Sequence, residues 1–362
     1  MIKLNAIDLF SGAGGLTVGL KRAGFNVVVA VEIYEPAAKT YAANHKTTKI
    51  LTRDIKTVKG DEIISLADNK EIHLVAGCPP CQGFSSLTSK YKHDDPRNRL
   101  ILEMARVVRE VKPIMVMMEN VPGLVYKGRT ILDEFIADLN SLGYKVNYDV
   151  LQVADYGIPQ MRRRLVLLAG KGFEISLPHA THTNKPSKDI TLKPWKTLAN
   201  TIQPNNPPVT LEYAKKNGGP IKFNWHVVRD LKPISIERLK ILIEGDGRQN
   251  LPVSLRPKCH KDSDEGFQNV YGRLSWSKTS PTITGGCTAP CKGRFGHPDE
   301  DRTISVREAA CIQTLPKRYR FETNHMDTVC DLIGNALPCD FAAIVSRTCI
   351  QAYKRNLKRV MI

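Results

Sequence analysis

The sequence predicts an α/β fold, a mostly parallel sheet with helices on both faces, plus a smaller irregular module. Three observations carry this reading. Across residues 1–170, short β-branched runs alternate with helical patterns, as in a parallel sheet covered by helices. At 362 residues the chain exceeds what one hydrophobic core usually serves. Near residue 172 the composition shifts, and 178–208 is rich in Pro, Thr, Asn and Lys with weak periodicity, so a loop-rich module begins there.

The elements follow in order. Ala6-Ile7-Asp8-Leu9-Phe10 reads as the end of a first strand and Val27 to Val31 as a second. His73 to Gly77 is a buried later strand, and Ile114 to Met118 and Arg164 to Ala169 are two more. Between them, Gly15 to Ala23, Glu35 to Ala43, Leu100 to Val111 and Ile131 to Leu142 carry helical spacing, with Gly143 as a C-terminal stop. Regular structure returns at Ser305-Val306-Arg307-Glu308, an S-x-x-E capping box ahead of Ala309-Ala310-Cys311-Ile312. A last helix covers Asp340 to about Tyr353. The expected organisation is a main domain over 1–175, completed by 325–362, with a second domain and its hinge over 176–324.

Composition narrows the function classes. No apolar run reaches the length of about 18 residues that a membrane helix needs, and MIKLNAIDLF lacks a signal-peptide layout, so a cytoplasmic protein is expected. Nine cysteines without a regular framework fit free thiols in a reducing compartment. The net charge is +17, and the excess lies outside the balanced stretch 276–343. A pI near 9.5 suits a surface that binds a polyanion, although basic proteins without nucleic-acid partners are common.

The most informative stretch is Gly77-Cys78-Pro79-Pro80-Cys81-Gln82-Gly83-Phe84-Ser85. It holds a thiol in a stiff loop at the carboxyl end of a strand, where open α/β sheets meet their ligands. Each proline fixes φ near −65° and restricts the residue before it, so Cys81 gains a defined direction suited to nucleophilic attack. The same residues form a C-x-x-C, which leaves a redox pair or half a zinc site open.

Phe10-Ser11-Gly12-Ala13-Gly14-Gly15-Leu16 lies at a strand-to-helix turn. A dinucleotide site needs G-x-G-x-x-G, and its third glycine falls on Thr17, so that match fails. The pattern is instead F-x-G-x-G-G, common at the S-adenosylmethionine end of related folds. Glu32, 18 residues after Gly14 at the end of the second strand, stands where an acid grips ribose hydroxyls. Glu119-Asn120-Val121 follows a buried strand, and a partly desolvated carboxyl there favours its protonated form and becomes a candidate general acid. In Gln160-Met161-Arg162-Arg163-Arg164, alternation puts Arg162 and Arg164 on one face, two guanidiniums aimed at one spot.

Together these residues resemble the cytosine-5 DNA methyltransferases of bacterial restriction-modification type. Five motifs occur in the family's order: Phe10 to Gly15, Pro80 to Gln82, Glu119 to Val121, Gln160 to Arg164, and Gly334-Asn335-Ala336-Leu337-Pro338. The resemblance spans almost the whole chain. It implies a Rossmann-like, S-adenosylmethionine-dependent methyltransferase fold for the main domain and a target-recognition role for the second. It further implies methylation of cytosine C5 in double-stranded DNA by a monomer. Cys81 would attack C6 of a flipped-out base, Glu119 would hold and protonate N3, and Arg164 with Arg162 would contact the base and fix the loop. The resemblance assigns the cofactor to Phe10, Ser11, Gly12, Gly14, Gly15, Leu16, Glu32, Ile33, Asp54, Ile55, Pro79, Leu100, Asn335 and Ala336. The family often has a second proline after its last motif, where Cys339 stands here.

The loop from Gln82 to Asn98 carries Lys90, Lys92 and Arg97 and is expected to close over DNA. In the second domain Arg248, Gln249, Asn250 and Arg256 are candidate base readers, and Gly272 to Thr284 resembles the stretch that anchors this domain. Cys259-His260 with Cys287 and Cys291 raises a zinc question, but an adjacent pair is awkward for tetrahedral ligation, and no metal is expected. Two rivals remain. A tRNA cytosine-5 methyltransferase of the same family would carry a Cys-Phe-Thr signature that is absent here. A thiol-disulfide protein using Cys78 and Cys81 would leave Glu119, the arginines and Gly334-Asn335 unexplained.

Overall fold

Asn5–Leu9 (β1) is buried at every position, as a strand covered on both faces must be. It is followed by Gly15–Ala23 (α1), Asn26–Val31 (β2), Glu35–Asn44 (α2), Lys49–Leu51 (β3), Gly60–Leu66 (α3) and Leu74–Gly77 (β4). Leu100–Val111 (α4), Met115–Asn120 (β5), Gly123–Tyr126 (α5), Arg129–Ser141 (α6), Tyr144–Gln152 (β6) and Arg163–Lys171 (β7) come next. The later helices are Leu211–Lys216 (α7), Pro233–Ile241 (α8), Val306–Ile312 (α9), Met326–Asn335 (α10) and Cys339–Val360 (α11). The computed structural model describes residues 4–80, 84, 95–185, 191–202, 207–257 and 270–360.

The seven-stranded sheet has the order β3-β2-β1-β4-β5-β7-β6. Neighbours from β3 to β5 run parallel, while β7 is antiparallel to both β5 and β6. The expected mostly parallel sheet is therefore present. Strand order reverses between β1 and β4, so right-handed crossovers carry α1 and α2 over one face and α3 and α4 over the other. Open α/β sheets usually place their ligand at such a reversal, here the carboxyl ends of β1 and β4. Fully buried Ile7, Val29, Val75, Val116 and Leu167 run across the sheet into one core with Met104 and Phe135 from the helices.

Several elements escaped the pattern reading, among them β3, α3 and β6 in the first unit and the helices α7, α8 and α10 in the second. β3 and α3 are short, and the edge strand β6 alternates exposed and partly buried residues with Lys145 and Asp149 outward. β5 also runs two residues past the expected end, because Glu119 and Asn120 are held in register opposite Val166 and Leu165 of β7. The last helix continues to Val360, beyond the point where apolar spacing fades.

Two compact units divide the chain. One comprises 1–156, 163–181 and 337–362, the other 157–162 and 182–336, so α10 falls in the second unit although the sequence boundaries grouped 325–362 with the first. The second unit has little regular structure, and buried arginines take the place of ladders. Arg273 donates to the carbonyls of Leu239, Leu242 and His297, and Arg307 to those of Asn224 and Tyr319. A guanidinium has five donors in a fixed fork, enough to satisfy several otherwise orphaned loop carbonyls. The capping box at the start of α9 forms as expected, with Ser305 Oγ accepting from Glu308 N–H and Glu308 Oε2 from Ser305 N–H. Residues 326–359 are long and apolar enough to cross a membrane, yet 67% of their most apolar window is buried within the protein, as in a core helix.

Candidate active site

At the end of β1 the chain turns through Phe10 (φ 55°), Gly12 (φ 53°) and Gly14 (φ 95°), left-handed conformations that favour glycine. Glu32, one residue beyond β2, folds back on this turn. Its Oε2 accepts from Gly12 N–H at 2.7 Å and its Oε1 from Tyr34 N–H at 2.7 Å. Burial pushes the Glu32 carboxyl up, and the backbone donors oppose that shift. No atom lies within 4 Å of where a Gly12 Cβ would stand, and Ser11 Oγ is buried without a hydrogen-bond partner among the described residues. An open glycine turn beside an unanswered hydroxyl and a positioned carboxylate fits a nucleoside-bearing cofactor.

The other residues expected around the cofactor occupy varied settings. Ile33 is exposed, Asp54 caps the turn Ile55–Thr57 by accepting from Lys56 N–H, and Ile55 is buried in the core. Gly15 and Leu16 open α1 as buried residues, Leu100 opens α4, and Pro79 is buried.

The strand ends of β1, β4, β5 and β7 build a row of polar groups on one face. Leu9 pairs with Gly77, and Gly77 with Met118, so Cys78 and Glu119 emerge side by side one step further on. Two residues below, in register with Ala76 and Met117, stands Asp8. Arg164 lies diagonal to Glu119 across the β5–β7 pair, on the same face, and its Nε is 2.7 Å from Glu119 Oε1. Both partners are nearly buried. Burial pulls the Arg164 guanidinium down, and the Glu119 charge partly offsets this.

Burial, then the neighbouring Glu119, pushes the Cys78 thiol well up. A redox-active or nucleophilic thiol needs the opposite shift, which weighs against a Cys78-based redox function. Burial likewise pushes the Asp8 carboxyl up to about 7 against its hydrogen bond from Thr17, with Glu32 adding to the rise. Thr17 Oγ1 donates to Asp8 Oδ2 at 2.6 Å. Beside this row, Asn120 Nδ2 donates to Pro79 O at 3.1 Å and ties the Pro-Pro loop to β5.

Arg162 has partners of its own, distinct from the Glu119 partner of Arg164. Buried in the second unit, it donates to Ile283 O at 3.0 Å and to Gly334 O at 3.1 Å. The helix end it meets is packed backbone to backbone. A Cβ on Gly334 would overlap Thr284 and Gly285, so only glycine fits there. Asn335 is exposed at that helix end, with Ala336 partly buried beside it.

Residues 4–351 match the family of C-5 cytosine-specific DNA methylases. The chain belongs to this family. Its relatives include the Type II methylase M.HgiDII of Herpetosiphon aurantiacus, 35% identical over 347 residues and 94% of each chain. The Type II methyltransferase M1.HphI of Haemophilus parahaemolyticus is 32% identical over 93% of this chain and 84% of its own. Among solved structures, a prophage-encoded protein of E. coli assigned as a DNA modification methyltransferase superposes with a TM-score of 0.71 at 24% identity, covering 97% and 100% of the two chains. A Spodoptera frugiperda DNMT2 mutant shares the fold at a TM-score of 0.64 and 20% identity, over 96% and 100%. The methylase is thus a DNA cytosine-5 methyltransferase, with relatives from restriction-modification systems.

Cys81 of the methylase lies outside the described residues, as do Gln82, Lys90, Lys92, Cys259 and His260. Arg97, also expected to face DNA, is paired with Asp95. Of the candidate base readers, Arg248 is buried and Arg256 donates to Leu251 O and Gln249 O, whereas Gln249 and Asn250 are exposed. Cys287 is buried beside Cys330 while Cys291 is exposed, and no three potential metal ligands gather among the described residues.

Sequence reasoning missed two supports. Phe84 packs on Gly123 and Gly128, where any side chain would strike its carbonyl and ring. Gln313 caps α10, donating to Ile333 O and Ala336 O. Neither carries a sequence signal beyond a glycine or glutamine at an element boundary.

Proposed function

We propose that the protein methylates C5 of cytosine within a specific double-stranded DNA sequence, using Cys81 for covalent attack on C6 of a flipped-out base. The observation that carries this is the Glu119–Arg164 ion pair at the strand ends, with Glu119 buried and its neighbour Asn120 bonded to Pro79 O. S-adenosylmethionine, when bound, supplies an electrophilic sulfonium methyl group. The residues proposed to hold it are Phe10, Ser11, Gly12, Gly14, Gly15, Leu16, Glu32, Ile33, Asp54, Ile55, Pro79, Leu100, Asn335 and Ala336.

Cytosine C5 is a weak nucleophile because the ring delocalises its electrons. Addition of the Cys81 thiolate to C6 breaks the C5–C6 double bond, and Glu119 delivers a proton to N3, leaving an enamine whose C5 is nucleophilic. After C5 is alkylated, loss of its proton to a base restores the double bond. Cys81 departs as thiolate and N3 returns its proton to Glu119. Arg164 fixes the carboxyl in the orientation this exchange needs. A base stacked in a duplex exposes neither C6 nor N3 to such groups, so the target nucleotide must leave the stack.

The basic excess of residues 171–275 would neutralise DNA phosphates, with a few side chains of 182–336 reading bases in the major groove. The first unit would carry catalysis and the second recognition. Kinship with Type II methylases supports a role in protecting host DNA from a cognate endonuclease, and the enzyme is proposed to act as a cytoplasmic monomer.

A duplex carrying 5-fluorocytosine tests the chemistry, because the fluorine at C5 cannot leave as a cation in place of the proton and the adduct persists. Mass spectrometry should find the oligonucleotide on a peptide containing Cys81. An adduct on Cys78, or none with active protein, would overturn the assignment.

A further inference from the structure

The last carbonyls of a helix lack the usual intrahelical partners, and at the end of α10 Ile333 O accepts from Ala336 N–H at 3.2 Å. Two buried side chains bond the carbonyls there. Gln313 Nε2 donates to Ile333 O at 2.6 Å and to Ala336 O at 3.0 Å, while Arg162 takes Gly334 O at 3.1 Å. Asn335 is thus held by bonds to the residues on either side, and its own side chain stays exposed.

The orientation of Gln313 is dictated by a chain of amides. Its Oε1 accepts from Gln160 Nε2 at 2.8 Å, and Gln160 Oε1 accepts from Ile283 N–H at 3.1 Å. Turning either amide over would set oxygen against carbonyl at one end and N–H against N–H at the other. The chain therefore has a single polarity, running from the backbone of Ile283 to the end of α10. Both glutamines are fully buried, so water does not compete for these bonds.

We infer that Gln313 is a positioning residue for S-adenosylmethionine: without touching the cofactor, it fixes the Gly334–Ala336 backbone that presents Asn335. The inference rests on the reading of Asn335 and Ala336 as cofactor contacts. Its consequence is a selective defect. Gln313→Met keeps the shape and removes both donors, and Gln313→Glu sets a carboxylate against two carbonyls. A helix end that has lost both bonds is expected to present Asn335 less well, raising the dissociation constant for the cofactor about tenfold.

The test is calorimetric titration of the full chain with S-adenosylmethionine, together with steady-state kinetics, for Gln313→Met, Gln313→Glu and Asn335→Ala. Both Gln313 variants should raise Kd and KM for S-adenosylmethionine about tenfold, with kcat at saturating cofactor and Kd for DNA within about threefold of wild type. If the charge in Gln313→Glu prevents folding, Gln313→Met carries the test alone. An unchanged cofactor Kd in Gln313→Met would overturn the inference, as would a parallel fall in kcat and DNA affinity, the mark of a merely structural role. If Asn335→Ala leaves cofactor affinity intact, the reading of the helix end fails instead.

Discussion

The Nε of Arg164 lies 2.7 Å from Oε1 of Glu119, on the same face of the sheet and across an antiparallel strand pair. That antiparallel pairing matters. β7 returns alongside β5 and brings an arginine from 45 positions later in the chain to the strand end that holds the carboxyl. Arg164→Ala would leave Glu119 buried beside Cys78 without its counter-charge. The expected outcome is a loss of about 10²–10³ in kcat, with cofactor binding retained, measured in single-turnover assays. Retained turnover would remove Glu119–Arg164 from the chemistry.

Cys81→Ser should abolish turnover while largely sparing affinity for DNA and S-adenosylmethionine. A hydroxyl stays protonated at neutral pH and adds poorly to C6. Filter binding of cognate duplex, run beside the methylation assay, separates the two effects, and wild-type turnover by the variant would sink the nucleophile assignment.

Asp8 gives a pH prediction with a fixed sign. Its carboxyl is pushed up from 3.8 to about 7, chiefly by burial. Between those values the folded chain keeps a proton that the unfolded chain has released. Stability therefore falls as pH rises through this window, and the penalty is complete above the folded value. Asp8→Asn removes the titration, so its Tm relative to wild type should climb between about pH 5 and about pH 8 in thermal melts. A difference that stays flat across that range contradicts the shift.

Gly334→Ala tests the backbone contact at the end of α10. The added methyl would overlap Thr284 and Gly285, main-chain atoms that cannot rotate away. Overpacking of this kind costs about 1–3 kcal/mol, enough to lower Tm by several degrees in calorimetry. A Tm equal to wild type would show that the two segments separate freely.

Much of this arrangement was legible before the structure. Strands with unbroken apolar runs, such as β4 and β5, declare burial on both faces, and the glycines after β1 declare a left-handed turn. Glu119 was placed correctly at a strand end, but its partner was not derivable from spacing alone. Alternation put Arg162 and Arg164 on one face, and β7 begins at Arg163. Arg162 answers loop and helix-end carbonyls. β6 was missed because an edge strand with exposed lysine and aspartate shows little apolar alternation. The roles of Gln160 and Gln313 depend on contacts 153 residues apart in sequence, which no local pattern encodes.

The most direct test of the central claim is expression in a host without cytosine methylation, followed by bisulfite conversion and sequencing of the host's plasmid. Cytosine C5 methylation predicts protected cytosines at one position of a single recurring sequence, and loss of that protection in Cys81→Ser. Complete conversion of the plasmid with soluble wild-type protein in the cell would contradict it.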